Sequence, residues 1–285
     1  MVTTTYGTVE VDGAKVFYRE AGDPTAPTLL LLPGFPSSSA QYQGLIDLLG
    51  EHHHLVSPDY PGFGRSPALE GETTFDRVAD AIERFTEVKQ LDRHALYMFD
   101  FGSPVGFRVA TRHPEQVSGL VMQNGNAYLE GLGPKMQALA PYWRDRAANE
   151  AAVRGALEPE AVRSQYVDGV PDPDHVNPDL WELDLRYIGL PGRDRVMLDL
   201  LYDYQNNLPL YPEWQKYLRD RQPPTLLAWG KNDEFFPVEG AEAYKKDLPD
   251  AQLHLLDTGH FATATHSPEI AELIAEFIAG RAAVA

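Results

Sequence analysis

The chain has 285 residues, 43% of them hydrophobic and 23% charged, proportions ordinary for a globular protein with a substantial buried core. Its 24 Lys and Arg against 42 Asp and Glu leave a formal charge of −18. That field disfavours nucleic acid and anionic lipid as partners and suits a neutral substrate better than an anionic one. No cysteine is present, which excludes disulfides, thiolate catalysis and cysteine metal sites.

The first residues, Met1 to Tyr6, lack a basic stretch followed by an apolar run, so no signal peptide is expected. The apolar run Leu29–Leu32 is far too short to span a bilayer. The expectation is a cytoplasmic protein without membrane contact. Thr8–Val11 and Ala14–Tyr18 flank Asp12-Gly13, a strong hairpin signal. Thr28–Leu32, stopped by Pro33-Gly34, reads as a strand covered on both faces.

Strand-like and helix-like segments then alternate. Tyr42–Leu49 reads as helix, His54–Val56 as strand, Phe75–Val88 as helix, Ala95–Phe99 as strand, Val105–Thr111 as helix and Gly119–Met122 as strand. Such alternation predicts a mostly parallel sheet with helices on both faces. The rhythm breaks over residues 126–221, where prolines recur and eight of the 14 tyrosines and three of the 4 tryptophans fall. This segment reads as an inserted helical cap whose aromatics fill its own core and line a mostly apolar pocket beneath it. Thr225–Trp229, Ala241–Lys246, Gln252–Leu256 and Ile270–Ile278 resume the pattern. Residues 1–125 and 222–285 thus form one core, interrupted by the cap.

The chemistry centres on Tyr97-Met98-Phe99-Asp100-Phe101-Gly102-Ser103-Pro104. A strand runs into a tight turn with Asp100 at its tip, and a helix follows directly. An aspartate there commonly caps a helix, but a helix N-terminus also favours a negative charge held just before it. A carboxylate with a reference pKa of about 4 is ionised at neutral pH and attacks an alkyl carbon without a base.

This turn resembles the nucleophile elbow of α/β-hydrolases. Asp59-Tyr60-Pro61-Gly62-Phe63-Gly64-Arg65-Ser66 is similar to that family's D-x-P-G-x-G-x-S loop, and Leu32-Pro33-Gly34-Phe35-Pro36 to its H-G-x-P loop. Asp233, after one late strand, and His260, in Gly259-His260 after the next, match the family's acid and histidine in the order nucleophile, acid, histidine. Met98 stands where the pattern has a small residue, and Pro33 where it has a histidine. The resemblance spans nearly the whole chain and is nearest to the subgroup with an aspartate nucleophile, the epoxide hydrolases and haloalkane dehalogenases.

The resemblance implies an α/β-hydrolase fold with a triad of Asp100, Asp233 and His260. It makes the backbone N–H groups of Phe35 and Phe101 the oxyanion donors, and Tyr204, with Tyr166 as partner, the cap phenols that protonate an opening epoxide. Some relatives place the acid after the strand ending near Gln123, which makes Glu130 the fallback. It implies water and a small hydrophobic organic substrate, and neither cofactor nor metal. Phe101 and Phe35 lack the side-chain N–H that dehalogenases of this subgroup use to hold halide. An epoxide hydrolase is therefore the leading expectation, a haloalkane or haloacid dehalogenase the alternative, and a non-catalytic binder of small ligands the second alternative. His52-His53-His54 is not expected to bind metal, because successive strand side chains point to opposite faces.

Overall fold

The computed structural model describes residues 2–282. One sheet of eight strands runs β1-β2-β4-β3-β5-β6-β7-β8. These are β1 (Thr5–Val11), β2 (Ala14–Ala21), β3 (Thr28–Leu32), β4 (His54–Pro58), β5 (His94–Phe99), β6 (Val117–Gln123), β7 (Thr225–Gly230) and β8 (Gln252–Leu256). The first hairpin closes on Asp12 and Gly13, both at positive φ (46° and 84°), the backbone that a tight turn between twisted strands demands. Strand β2 is antiparallel to both its neighbours, and from β4 to β8 every pairing is parallel.

Helices α1 (Gln43–Leu49), α2 (Phe75–Val88) and α3 (Gly102–Arg112) connect the early strands. Between β6 and β7 the chain leaves the sheet to build the cap from α4 (Pro134–Gln137), α5 (Ala140–Arg144), α6 (Arg146–Val153), α7 (Pro159–Val167), α8 (Asp179–Ile188), α9 (Arg193–Asp203) and α10 (Tyr211–Arg221). Helices α11 (Val238–Ala243) and α12 (Thr263–Ala282) complete the core.

Side-chain alternation divides the interior into two layers. Leu30, Leu32, Leu96, Met98 and Met122 face one side, with α2, α3 and much of the cap. Leu29, Leu31, Tyr97, Phe99 and Val121 face the other, with α1 and α12. Strands covered on both faces read as continuous apolar runs for this reason. The layers also explain how the sheet tolerates Met98. A side chain at Gly106, on the facing turn of α3, would place its Cβ 2.1 Å from the Met98 sulfur. The bulk missing from the helix makes room for the bulk present in the strand.

The His52–His54 stretch is absorbed by local bonding. His54 lies between the Thr28 hydroxyl and the Glu20 carboxylate, and His53 bonds to the Leu49 carbonyl. His266 sits at a non-helical break near the start of α12, two residues before Pro268. No helix among the described residues is long and apolar enough to cross a membrane.

Candidate active site

Strand β5 ends at Phe99 and α3 begins at Gly102, leaving two residues to reverse the chain. Asp100 takes the left-handed conformation, φ 49°, which L-residues other than Gly, Asn and Asp seldom adopt. Gly102 is required for close approach, because a Cβ there would lie 2.4 Å from the Leu32 carbonyl oxygen. The tight turn lifts the Asp100 side chain above the carboxyl ends of the parallel strands, where open α/β sheets bind ligands.

The two oxygens of Asp100 have different surroundings. Oδ1 accepts the Phe35 N–H at 2.6 Å, and the Phe101 N–H also bonds the carboxylate. Oδ2 lies 3.7 Å from Nε2 of His260. Burial drives the Asp100 pKa up to about 6, opposed by the His260 charge and by the Phe35 and Phe101 amides. The loop carrying Phe35 is held by Asp59, whose carboxylate accepts the N–H groups of Ser39 and Arg65 at 2.7 and 2.8 Å. Ser66 closes the same loop, donating to the Asp59 carbonyl and accepting from the Phe17 N–H.

On its other edge His260 presents Nδ1 to Oδ2 of Asp233 at 2.8 Å. Burial opposes a charged ring, but the Asp233 carboxylate, helped by Asp100, outweighs it and raises the His260 pKa above its ordinary value. Asp233 is fixed in turn by the Phe235 N–H on Oδ1 at 2.7 Å and the Asn124 amide on Oδ2 at 2.9 Å. All three side chains are buried. The arrangement can hold a negative charge facing an imidazole whose far nitrogen is bound to a second carboxylate.

A sequence profile of the alpha/beta hydrolase fold matches residues 27–267. The chain belongs to the alpha/beta hydrolase family. It is 44% identical over 274 residues, 94% of either chain, to the uncharacterized hydrolase YNR064C of Saccharomyces cerevisiae. It is 29% identical over 170 residues, 55% of this chain and 57% of the other, to a haloalkane dehalogenase of Mycobacterium marinum. The crystal structure of the epoxide hydrolase CorEH superposes with a TM-score of 0.81 at 17% identity, covering 98% of this chain and 99% of that one. The protein is thus an α/β-hydrolase enzyme, similar over part of its sequence to a haloalkane dehalogenase and in fold to an epoxide hydrolase.

In this alpha/beta hydrolase a cavity of about 270 Å³ opens between cap and sheet directly over Asp100. Its walls are mostly apolar, with Phe35, Phe101, Met136, Leu139, Leu201 and Phe235. Its polar members besides Asp100 are Lys135, Ser164 and Gln165. Lys135 is engaged by Asp168 and Glu234, at 2.8 and 3.3 Å.

Three further candidates take the following places. Tyr166 does not face the cavity: its hydroxyl donates to Asp184, and its ring stacks on Phe261 with centroids 3.9 Å apart. Apolar packing and a buried acceptor hold it in the layer behind the histidine loop. Tyr204 lies nearer, its ring 6.1 Å from that of Phe101. Its hydroxyl meets Tyr211 at 3.4 Å, and burial, Tyr211 and then the Asp100 charge raise its pKa. Glu130 is exposed and paired with Lys246, so it does not hold His260.

The sequence reading missed Asn124. It directly follows β6 at φ 43°, accepts the Gly230 N–H, and donates to the Gly230 carbonyl as well as to Asp233. The chain therefore places an amide, rather than the acid, after β6 and uses it to hold an acid that follows β7. The Asn124-Gly125 dipeptide after a strand was the available signal, since Asn tolerates the left-handed turn. Gln123, also missed, anchors the histidine loop by donating to the His260 carbonyl at 3.1 Å.

Proposed function

We propose that this hydrolase works through a covalent alkyl ester on Asp100, and that its substrate is a small, neutral, largely apolar epoxide. The observation that carries this reading is the division of labour at Asp100, with Oδ1 on the Phe35 amide, the Phe101 amide also bonding the carboxylate, and Oδ2 toward His260. Oδ2 attacks a ring carbon, the carbon–oxygen bond breaks, and the released oxygen takes a proton from water, returned to solvent when ester hydrolysis regenerates ionised Asp100. Oδ1 becomes the ester carbonyl oxygen, seated on the Phe35 N–H with the Phe101 N–H at the same carboxyl group. Water deprotonated by His260 Nε2 then adds to the Asp100 carbonyl carbon, and the charge growing on Oδ1 is stabilised by those donors. One such donor typically contributes about 3 kcal/mol. Collapse of the adduct returns the carboxylate and releases a diol.

Phe35 and Phe101 bring only apolar rings to the place where a leaving halide needs donors, which supports epoxide over carbon–halogen substrates. A halide leaves without a proton, however, and no phenol lines the cavity among the described residues. A carbon–halogen substrate is therefore the second reading, and halide release from short haloalkanes measures it. The reaction itself is tested in a His260→Ala variant incubated with an aromatic epoxide. Intact-mass and peptide mass spectrometry should find one substrate mass added, localised to Asp100. A label elsewhere, or none, overturns the proposal.

The pH dependence follows from the ionisations. Only ionised Asp100 attacks, and its pKa is raised to about 6, so single-turnover ester formation should fall about tenfold from pH 8 to pH 5. The second step needs a neutral imidazole, and the His260 pKa is raised as well. Turnover should therefore climb with pH through the same window. A rate independent of pH between 5 and 8 would remove the assigned roles.

A further inference from the structure

We infer that Gln165 is a specificity-determining residue and that the substrate carries a neutral hydroxyl group besides its electrophilic carbon. The inference rests on the reading of Asp100 given above. The side-chain amide of Gln165, on α7, is 4% exposed and lines the Asp100 cavity. It has no hydrogen-bond partner among the described residues. The amide atoms, unlike those sealed in the interior without a partner, keep surface open to the cavity, a place for a ligand or water. The other polar side chains of the cavity are already engaged. Lys135 is neutralised by Asp168 and Glu234, the Ser164 hydroxyl donates to the Ala161 carbonyl, and Asp100 is held by backbone amides.

The geometry of α7 explains why this residue faces inward. Its neighbour Tyr166 is clamped by Asp184 and by the Phe261 ring, which fixes the rotation of the helix and turns Gln165 into the cavity. Sequence reading placed the polar contact one residue too late.

The chemistry of the amide selects the ligand. A departing alkoxide or halide uses only the N–H half and leaves the carbonyl half unpaired in a mostly apolar wall. A hydroxyl both accepts and donates, so it can use either half. An anionic group is disfavoured, because Lys135 in the wall is neutralised and the net charge is −18. A site built around a substrate hydroxyl discriminates strongly against the analogue lacking it, because its own polar group is then unpaired. The substrate class is an epoxide with an apolar body and one alcohol.

The test compares 3-phenylglycidol with 1-phenylpropylene oxide, which differ by that hydroxyl alone. The kcat/KM ratio is measured in wild type and in Gln165→Met, so the intrinsic reactivities of the two epoxides cancel between enzymes. The expected result is a preference for the alcohol that shrinks at least about tenfold in the variant, through loss on the alcohol rather than on the deoxy epoxide. Gln165→Asn, which withdraws the amide by one methylene, carries the same comparison should the methionine variant not fold. A ratio unchanged within twofold overturns the assignment while leaving the hydrolase reading intact. Failure of both epoxides to label Asp100 in the His260→Ala background overturns the hydrolase reading, and this inference with it.

Discussion

Asp100→Asn should lower turnover by at least about 10⁴-fold while leaving the fold intact. Asparagine is among the few residues that tolerate the left-handed backbone, so φ 49° at the elbow is kept. The amide oxygen can still accept the Phe35 N–H that now reaches Oδ1. What disappears is the nucleophile, since a carboxamide does not displace an alkoxide or halide from carbon. The effect on stability should run the other way. A buried carboxyl whose pKa is raised to about 6 binds its proton more tightly folded than unfolded. Native stability therefore declines as pH rises between about 4 and 6, and the full cost is present above that window. The neutral variant escapes this cost, so its melting temperature at pH 8 should be no lower than that of wild type. Retained turnover would remove Asp100 from the reaction. Lost turnover together with a collapsed melting temperature would make it a structural residue.

The same residue shows why parts of the site were legible in the sequence and others were not. The elbow, the Asp59 loop and the Gly259-His260 pair are local: the backbone conformation or close packing that each needs leaves a short motif behind. The sheet was legible because strands buried on both faces form unbroken apolar runs, as in Leu29–Leu32 and Ala95–Phe99. The cap was legible as an interruption, but not in its details. Whether Tyr166 or Gln165 faces the cavity depends on the rotation of α7, set by Asp184 and Phe261 from outside the helix. Tyr204 was identified by its resemblance, yet the position of its hydroxyl depends on Tyr211, itself bonded to Asn126 below. Asn124 left only its Asn-Gly turn signal, and its role stayed hidden because its partners Gly230 and Asp233 lie more than a hundred residues downstream. Contacts between side chains distant in sequence decide these positions.

Asp233→Asn should separate the two halves of the reaction. In the protein as it stands, Oδ1 of Asp233 is held by the Phe235 N–H, and Oδ2 receives both the Asn124 amide and Nδ1 of His260. A carboxylate can accept all of these. A carboxamide that keeps its oxygen on the Phe235 N–H turns its NH₂ toward the Asn124 amide and toward Nδ1, setting donor against donor on one side. On the other side it favours the imidazole tautomer with its proton on Nε2. That tautomer has no lone pair to offer water, and the imidazolium has lost its counter-charge. Hydrolysis of the ester should then slow by about 10⁴-fold, the size of effect that the equivalent tautomer reversal has in serine proteases. Attack by Asp100 needs no base and should proceed within about tenfold of its normal rate. Rapid-quench kinetics should therefore show a burst approaching one product equivalent of ester per chain, followed by a near stop. The Asp100→Asn variant should show no burst at all. If Asp233→Asn slows turnover without ester accumulating, the imidazole is needed before the ester forms, and the order of steps argued above is wrong.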